Sequence, residues 1–195
     1  MQVIIAMLNL RSYSSKNETV SIAFNDMINR IQSMSLVHEK LYKSENLSVI
    51  RLDEYIEDLM SLLMNVDAVS ALKIKLVMNL DSVSVDIDTA IPCGLILNEL
   101  ISNIFKHAFK NLDSGEVRIR LHKLEGDEVE IVLTDNGNGF PLGFDVRNYD
   151  TLGLQTVFAL GEEQLHGIIE IVSLPGEKGA SCRLAFTNLP KNSRI

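Results

Sequence analysis

The apolar positions of this 195-residue chain change their period partway along. Up to about residue 66 they recur every three or four residues. Between Thr19 and Tyr42, the residues Ile22, Phe24, Met27, Ile28, Ile31, Met34, Leu36, Val37 and Leu41 form the wide apolar stripe of an amphipathic helix. Met1 to Ser12 is also apolar and helix-compatible. The polar run Ser14-Ser15-Lys16-Asn17-Glu18 between them predicts the turn of a helical hairpin. Two helices cannot bury such stripes alone, whereas a dimeric four-helix bundle would. Leu52 to Asn65 predicts another helix with Tyr55, Ile56, Leu59, Leu62 and Leu63 inward.

After Asp67 the period shortens. Ile74 to Leu80 and Val83 to Ile87 have the alternation and β-branching of strands. Ile91 to Phe109 returns to a helical pattern, with Pro92 suited to a first turn. Glu116 to His122 and Glu128 to Thr134 alternate across Gly126-Asp127 and predict a hairpin. Residues 136 to 152 are rich in Gly, Asn and Asp and predict a mobile loop, followed by a short helix over Leu152 to Leu165. Gly167 to Ser173 and Ala180 to Thr187 predict two closing strands. This order indicates an α+β sandwich with helices on one face of a sheet. The expected division is a partial helical hairpin over 1–50 and a second domain over 51–195.

Composition removes several function classes. No apolar run reaches eighteen residues, so no membrane span is expected within the chain. Met1 to Leu10 has no basic leader and no small-residue cleavage site, so it does not read as a signal peptide. A net charge of −8 without a basic cluster argues against nucleic acid as the main partner. Cys93 and Cys182 lack metal-ligand spacing and read as buried or semi-buried thiols in a reducing compartment.

The candidate chemistry lies in three segments. In Asn98-Glu99-Leu100-Ile101-Ser102-Asn103-Ile104-Phe105-Lys106-His107, helical spacing puts Glu99, Asn103 and His107 on one face with Lys106 beside them. A magnesium-bound triphosphate needs an oxygen ligand, cations and a polar group near the transferred phosphate. Asn103 can supply the amide oxygen, Lys106 the cation and His107 a further donor, while Glu99 can orient or deprotonate a nucleophile. Taken alone, the segment is equally compatible with a solvated helix face. In Asp135-Asn136-Gly137-Asn138-Gly139-Phe140-Pro141 a strand-end carboxylate can accept from an adenine amino group. Gly137 and Gly139 admit close approach of a flat base, although Asp-Asn-Gly turn chemistry alone also accounts for this segment. Thr151-Leu152-Gly153-Leu154 opens a helix after a flexible loop, an arrangement suited to phosphate.

Together these segments resemble the N, G1 and G2 boxes of the GHKL ATPases, the superfamily of type II gyrases, MutL mismatch-repair proteins and sensor histidine kinases. The resemblance covers roughly residues 53 to 188. Arg30-Ile31-Gln32-Ser33-Met34-Ser35-Leu36-Val37-His38-Glu39-Lys40-Leu41-Tyr42 followed by Pro92-Cys93-Gly94-Leu95-Ile96-Leu97-Asn98-Glu99-Leu100 extends it to the bacterial and archaeal two-component sensor histidine kinases with a variant dimerisation hairpin.

That resemblance implies a GHKL (Bergerat) sandwich, with helices on one face of a mixed sheet, carrying ATP and Mg2+ between helix and loop. It implies Asn103 on magnesium, Glu99 near the transferred phosphate, and Lys106 and His107 on phosphates. Asp135 would read adenine beside Gly137 and Gly139, and Gly153 and Leu154 would hinge a lid over about 140 to 152. The lid is short and shows no clear phenylalanine box; Phe140 and Phe144 are its loose candidates. The implied activity is transfer of the γ-phosphate to a histidine for relay to a response regulator receiver domain, in a cytoplasmic homodimer. Whether the intact protein is anchored in a membrane through N-terminal regions stays open. In this branch the acceptor histidine precedes residues matching Met1-Gln2-Val3-Ile4-Ile5, so a fragment unable to autophosphorylate alone is expected. His38 matches a recurrent segment of the second hairpin helix and is read as structural, and His122 and His166 as surface residues. Two other readings remain: a dimeric phosphotransfer scaffold without ATP turnover, and an ATPase of the gyrase or MutL kind.

Overall fold

The computed structural model describes residues 2–14, 18–43, 49–64, 73–141, 143–148, 151–173 and 178–188. Two antiparallel helices open the chain, α1 (Gln2–Ser14) and α2 (Glu18–Lys43). The Ser21 hydroxyl donates to the Ser12 carbonyl at 3.1 Å and stitches them together. The expected turn at 15–17 lies outside the described residues, as do the side chain of His38 and the lid positions 142, 149 and 150.

A short strand β1 (Ile50–Arg51) leads into α3 (Leu52–Met64) and pairs with β3 (Ser84–Val85). Tyr55, Ile56, Leu59 and Leu63 of α3 are buried as their spacing requires. Leu62 is only half-buried, and Met60 takes the inward position instead. The main sheet contains β2 (Lys73–Leu80), β4 (Ser114–Lys123), β5 (Glu128–Asp135), β6 (Ile168–Ser173) and β7 (Ala180–Thr187) in the order β2-β4-β5-β7-β6. The β2–β4 pair is parallel and the other three pairs are antiparallel, so the sheet is mixed.

Alternation fixes which face is covered. Val117, Ile119 and Leu121 on β4, Val129, Ile131 and Leu133 on β5, and Cys182, Leu184 and Phe186 on β7 all point into one core with the inward residues of α3 and of the long helix α4 (Ile87–Asn103). The architecture is therefore the α+β arrangement expected, with helices on one face of a mixed sheet.

Helix α4 begins four residues earlier than its sequence pattern indicates. Val83, Val85 and Ile87 alternate like a strand, but Asp86 caps a helix: its carboxylate accepts from the Thr89 amide at 2.8 Å. Pro92 consequently lies inside the helix rather than in its first turn. At the other end the α-helix passes into a π-helical turn, Ile104–Ala108. The last helix, α5 (Leu152–Phe158), likewise continues as a π-turn over Ala159–Gln164.

Candidate nucleotide-binding site

The C-terminal half of α4 and its π-turn, the loop after β5 and the start of α5 converge on a cavity of about 400 Å³. Asn103 and His107 line it from the helix, and Asp135 and Gly139 from the strand end. Leu154 lines it from α5. Its walls are mostly apolar, with Ile104, Leu133 and Ile171 among them, which suits a flat heterocycle reading a few polar groups.

Asp135 owes its setting to the two strands beside β5. It is only 5% exposed. Its Oδ1 accepts from the Gly137 amide at 2.8 Å. Burial pushes its carboxyl above the usual carboxylate range, opposed by hydrogen bonds from the backbone of Gly137 and Ala180. The loop that follows is tied on two sides. Asn136 Oδ1 accepts from the Glu116 amide at 2.7 Å on β4. The Asn138 amide donates to the Ala108 carbonyl at 2.8 Å, and its side chain to the Lys110 carbonyl at 3.0 Å. These ties hold the loop against the end of the π-turn. They also explain Gly137, because a methyl there would run into the Ala108 carbonyl. Gly139 has φ +67°, and a methyl there would stand 2.9 Å from the Gly179 carbonyl.

The other expected residues divide. Lys106 is exposed and does not line the cavity. Gly137 does not line the cavity either; its amide holds Asp135 Oδ1 and its Cα packs on Ala108. Glu99 is buried on α4, one turn before Asn103, and also stands off the cavity. Gly153 faces Glu99 rather than the cavity, since a methyl there would lie 2.8 Å from Glu99 Oε2.

Further residues shape the site. Arg30 of α2 donates through Nε to Glu99 Oε1 at 2.5 Å, a pair joining positions 69 residues apart that no local pattern signals. Phe140 and Phe144, the loose candidates for a phenylalanine box, stack with ring centroids 5.1 Å apart, and both line the cavity. Cys182 also lines the cavity from β7, its thiol pushed up to about 12 by burial. Further along the lid, Arg147 bonds Glu162 at 2.7 Å and lies 4.7 Å above the Phe158 ring, fastening the loop to the last helix.

The donor set fits a magnesium nucleotide in which phosphate oxygens supply most of the metal's shell. Asn103 brings an amide oxygen to the cavity, and among the described residues no three His, Cys, Asp or Glu side chains gather into an all-protein metal site. An apolar slot ending in a buried carboxylate fits the adenine end.

Comparison with known proteins bears on the family and the fold. A family model described as histidine kinase matches residues 1–67, and one described as histidine kinase-, DNA gyrase B- and HSP90-like ATPase matches residues 89–191. The sensor histidine kinase PdtaS of Mycolicibacterium smegmatis is 29% identical over 177 residues, which is 90% of this chain and 35% of that protein. The blue-light-activated histidine kinase 2 of Erythrobacter litoralis is 26% identical over 80% of this chain and 45% of its own length. The chain thus spans less than half the length of these relatives. Among solved structures, the histidine kinase domain of an Erythrobacter litoralis blue-light-activated kinase superposes with a TM-score of 0.75 over 96% of both chains at 22% identity.

Proposed function

The chain belongs to the histidine kinase-, DNA gyrase B- and HSP90-like ATPase family, in its sensor histidine kinase branch, and from that premise we propose that it is the catalytic core of a two-component sensor histidine kinase. It binds Mg-ATP and passes the γ-phosphoryl group to a histidine, for relay to an aspartate on a response regulator receiver domain. The observation that carries this reading is the convergence of Asn103, His107 and Asp135 on one cavity.

In this reading adenine occupies the apolar slot and its amino group donates to Asp135, with Gly137 and Gly139 beside the base. Asn103 holds magnesium, which neutralises phosphate charge when bound. His107 lies toward the phosphates, and Lys106 reaches them from its exposed position. Glu99 stands beside the transferred phosphate. Gly153 and Leu154 hinge the lid over about 140 to 152, so that closure excludes water. In the transfer, an imidazole nitrogen forms a bond to the γ-phosphorus as the bond to the β,γ-bridging oxygen breaks. ADP leaves with that electron pair, and the proton lost by the imidazole passes to a base. Positioning and charge neutralisation supply most of the acceleration.

The hairpin over 1–50 acts as the dimerisation part and 51–195 as the ATP-binding part. No helix among the described residues is long and apolar enough to cross a membrane. A cytoplasmic setting is part of this reading, supported by the use of ATP it assumes and by two free thiols suited to a reducing compartment.

The test is incubation with γ-labelled Mg-ATP beside Asp135→Asn, with a kinase hairpin bearing an acceptor histidine also supplied in trans. The expected outcome is protein-bound label that survives alkali, is lost in acid and is absent with the mutant. Steady phosphate release with no phosphoprotein would instead favour an ATPase of the gyrase or MutL kind. Failure to bind nucleotide would favour a scaffold.

A further inference from the structure

The ion pair between Arg30 and Glu99 crosses from the hairpin to the ATP-binding part. Arg30 sits midway along α2 and Glu99 near the end of α4, and their side chains are 28% and 11% exposed. Arg30 Nε fixes Oε1 at 2.5 Å. The other oxygen lies against Gly153, the second residue of α5. Thr151 and Leu154, on either side of that position, both line the nucleotide cavity.

A carboxyl torsion is broad and roughly two-fold, so a glutamate by itself does not fix where its second oxygen points. A charge-assisted bond to one oxygen does. Burial adds the same demand, because an enclosed carboxylate is costly without a cation or donor beside it. The Glu99 carboxylate is thus held on one side by the hairpin and fitted on the other against the root of the lid. Gly153 is the residue that makes room for it.

We propose that Arg30 is a positioning residue for phosphoryl transfer. By fixing Glu99 Oε1 it presents Oε2 to Gly153 at the root of the lid, between Thr151 and Leu154, which line the nucleotide cavity. The proposal rests on the reading of Glu99 as the group beside the transferred phosphate. It has a consequence for control: the residue that aims Glu99 belongs to the hairpin, so the site is complete only while α2 is seated on α4.

The test compares the unaltered chain with Arg30→Gln, Arg30→Lys, Glu99→Gln and Gly153→Ala. Three measurements are made: ADP affinity by calorimetry, kcat and KM for Mg-ATP-dependent phosphorylation of a kinase hairpin bearing an acceptor histidine supplied in trans, and the Gly153 amide resonance by nitrogen–proton NMR. Arg30→Gln should lower kcat about 10- to 100-fold, the scale of a misplaced reacting group. It should leave KM and ADP affinity within about twofold and shift the Gly153 resonance. Arg30→Lys should recover part of kcat, since an ammonium can still pair with Oε1. Gly153→Ala leaves the pair itself intact and should lower kcat by crowding Oε2, which keeps the test open should Arg30→Gln fold poorly. Unchanged or raised kcat in Arg30→Gln, or an unmoved Gly153 resonance, would overturn the proposal. Turnover that survives Glu99→Gln would overturn it together with the role of Glu99. Turnover lost in Glu99→Gln but kept in Arg30→Gln would overturn positioning alone. Absence of ADP binding by the unaltered chain would remove the functional reading beneath it.

Discussion

Asp135 is a residue whose placement works against the resting fold. Burial raises its folded-state carboxyl above the ordinary aspartate range, so the native state holds its proton more tightly than the unfolded chain does. The sign follows from linkage. This group favours the folded state fully below about pH 4, and that contribution is lost as pH rises through its raised native value. At neutral pH the ionised carboxylate is therefore a burden, offset in part by the Gly137 amide. Bound adenine would offset more of it by donating its amino group. Asp135→Asn keeps an oxygen for the Gly137 amide and removes the buried charge. Its melting temperature at pH 7 should rise by about 2–4 °C, the shift that about 1 kcal/mol gives a chain of this size. The difference should shrink when the melts are repeated near pH 4. A mutant that melts lower than the unaltered chain at pH 7 would show that the carboxylate is held by partners stronger than burial.

Among the elements, the contact of α2 with α3 and α4 joins the hairpin to the rest of the fold. Tyr55 of α3 is fully buried and donates its hydroxyl to the Ser33 carbonyl of α2 at 3.1 Å. Gly94 of α4 provides the room, because a methyl there would collide with the Tyr55 ring and hydroxyl. Tyr55→Phe should destabilise the chain by about 1–2 kcal/mol in chemical denaturation, the loss of one buried hydrogen bond. Gly94→Ala should be worse, by about 1–3 kcal/mol, because α3 and α4 must move apart. The periodicity of α3 was legible because it buries one stripe, whereas α2 buries Ile28 and leaves Met27 exposed. The start of α4 was not, because Val83, Val85 and Ile87 keep a strand's alternation while Asp86 sets a helix cap. Both π-turns were also hidden, since nothing local in Ile104–Ala108 or Ala159–Gln164 separates them from an α-helix. Within the first π-turn His107 lines the cavity and Lys106 does not. Short-range spacing thus located Asn103, His107 and Asp135 at the cavity. It gave no access to Arg30, whose partner lies on a helix packed against its own only in the folded molecule.

Across the whole molecule, the sheet and its helices form one core, while α1 leaves Val3, Met7 and Leu10 between 63% and 69% exposed. Their spacing puts them on a single face of the helix. This stripe supports the homodimer proposed above, because a second hairpin would bury it in a four-helix bundle. Light scattering should give a dimer for the unaltered chain and a monomer for the double substitution of Met7→Lys with Leu10→Lys. A monomeric unaltered chain would contradict the dimer. The central claim, however, is that the cavity beside α4 is a nucleotide site read by Asp135. It is tested most directly by calorimetric titration of the unaltered chain and Asp135→Asn with ADP in the presence of magnesium. The account predicts one site per chain and at least a tenfold weaker affinity in the mutant, about 1.4 kcal/mol or more. Equal affinity in the two proteins, or no binding to either, would contradict it.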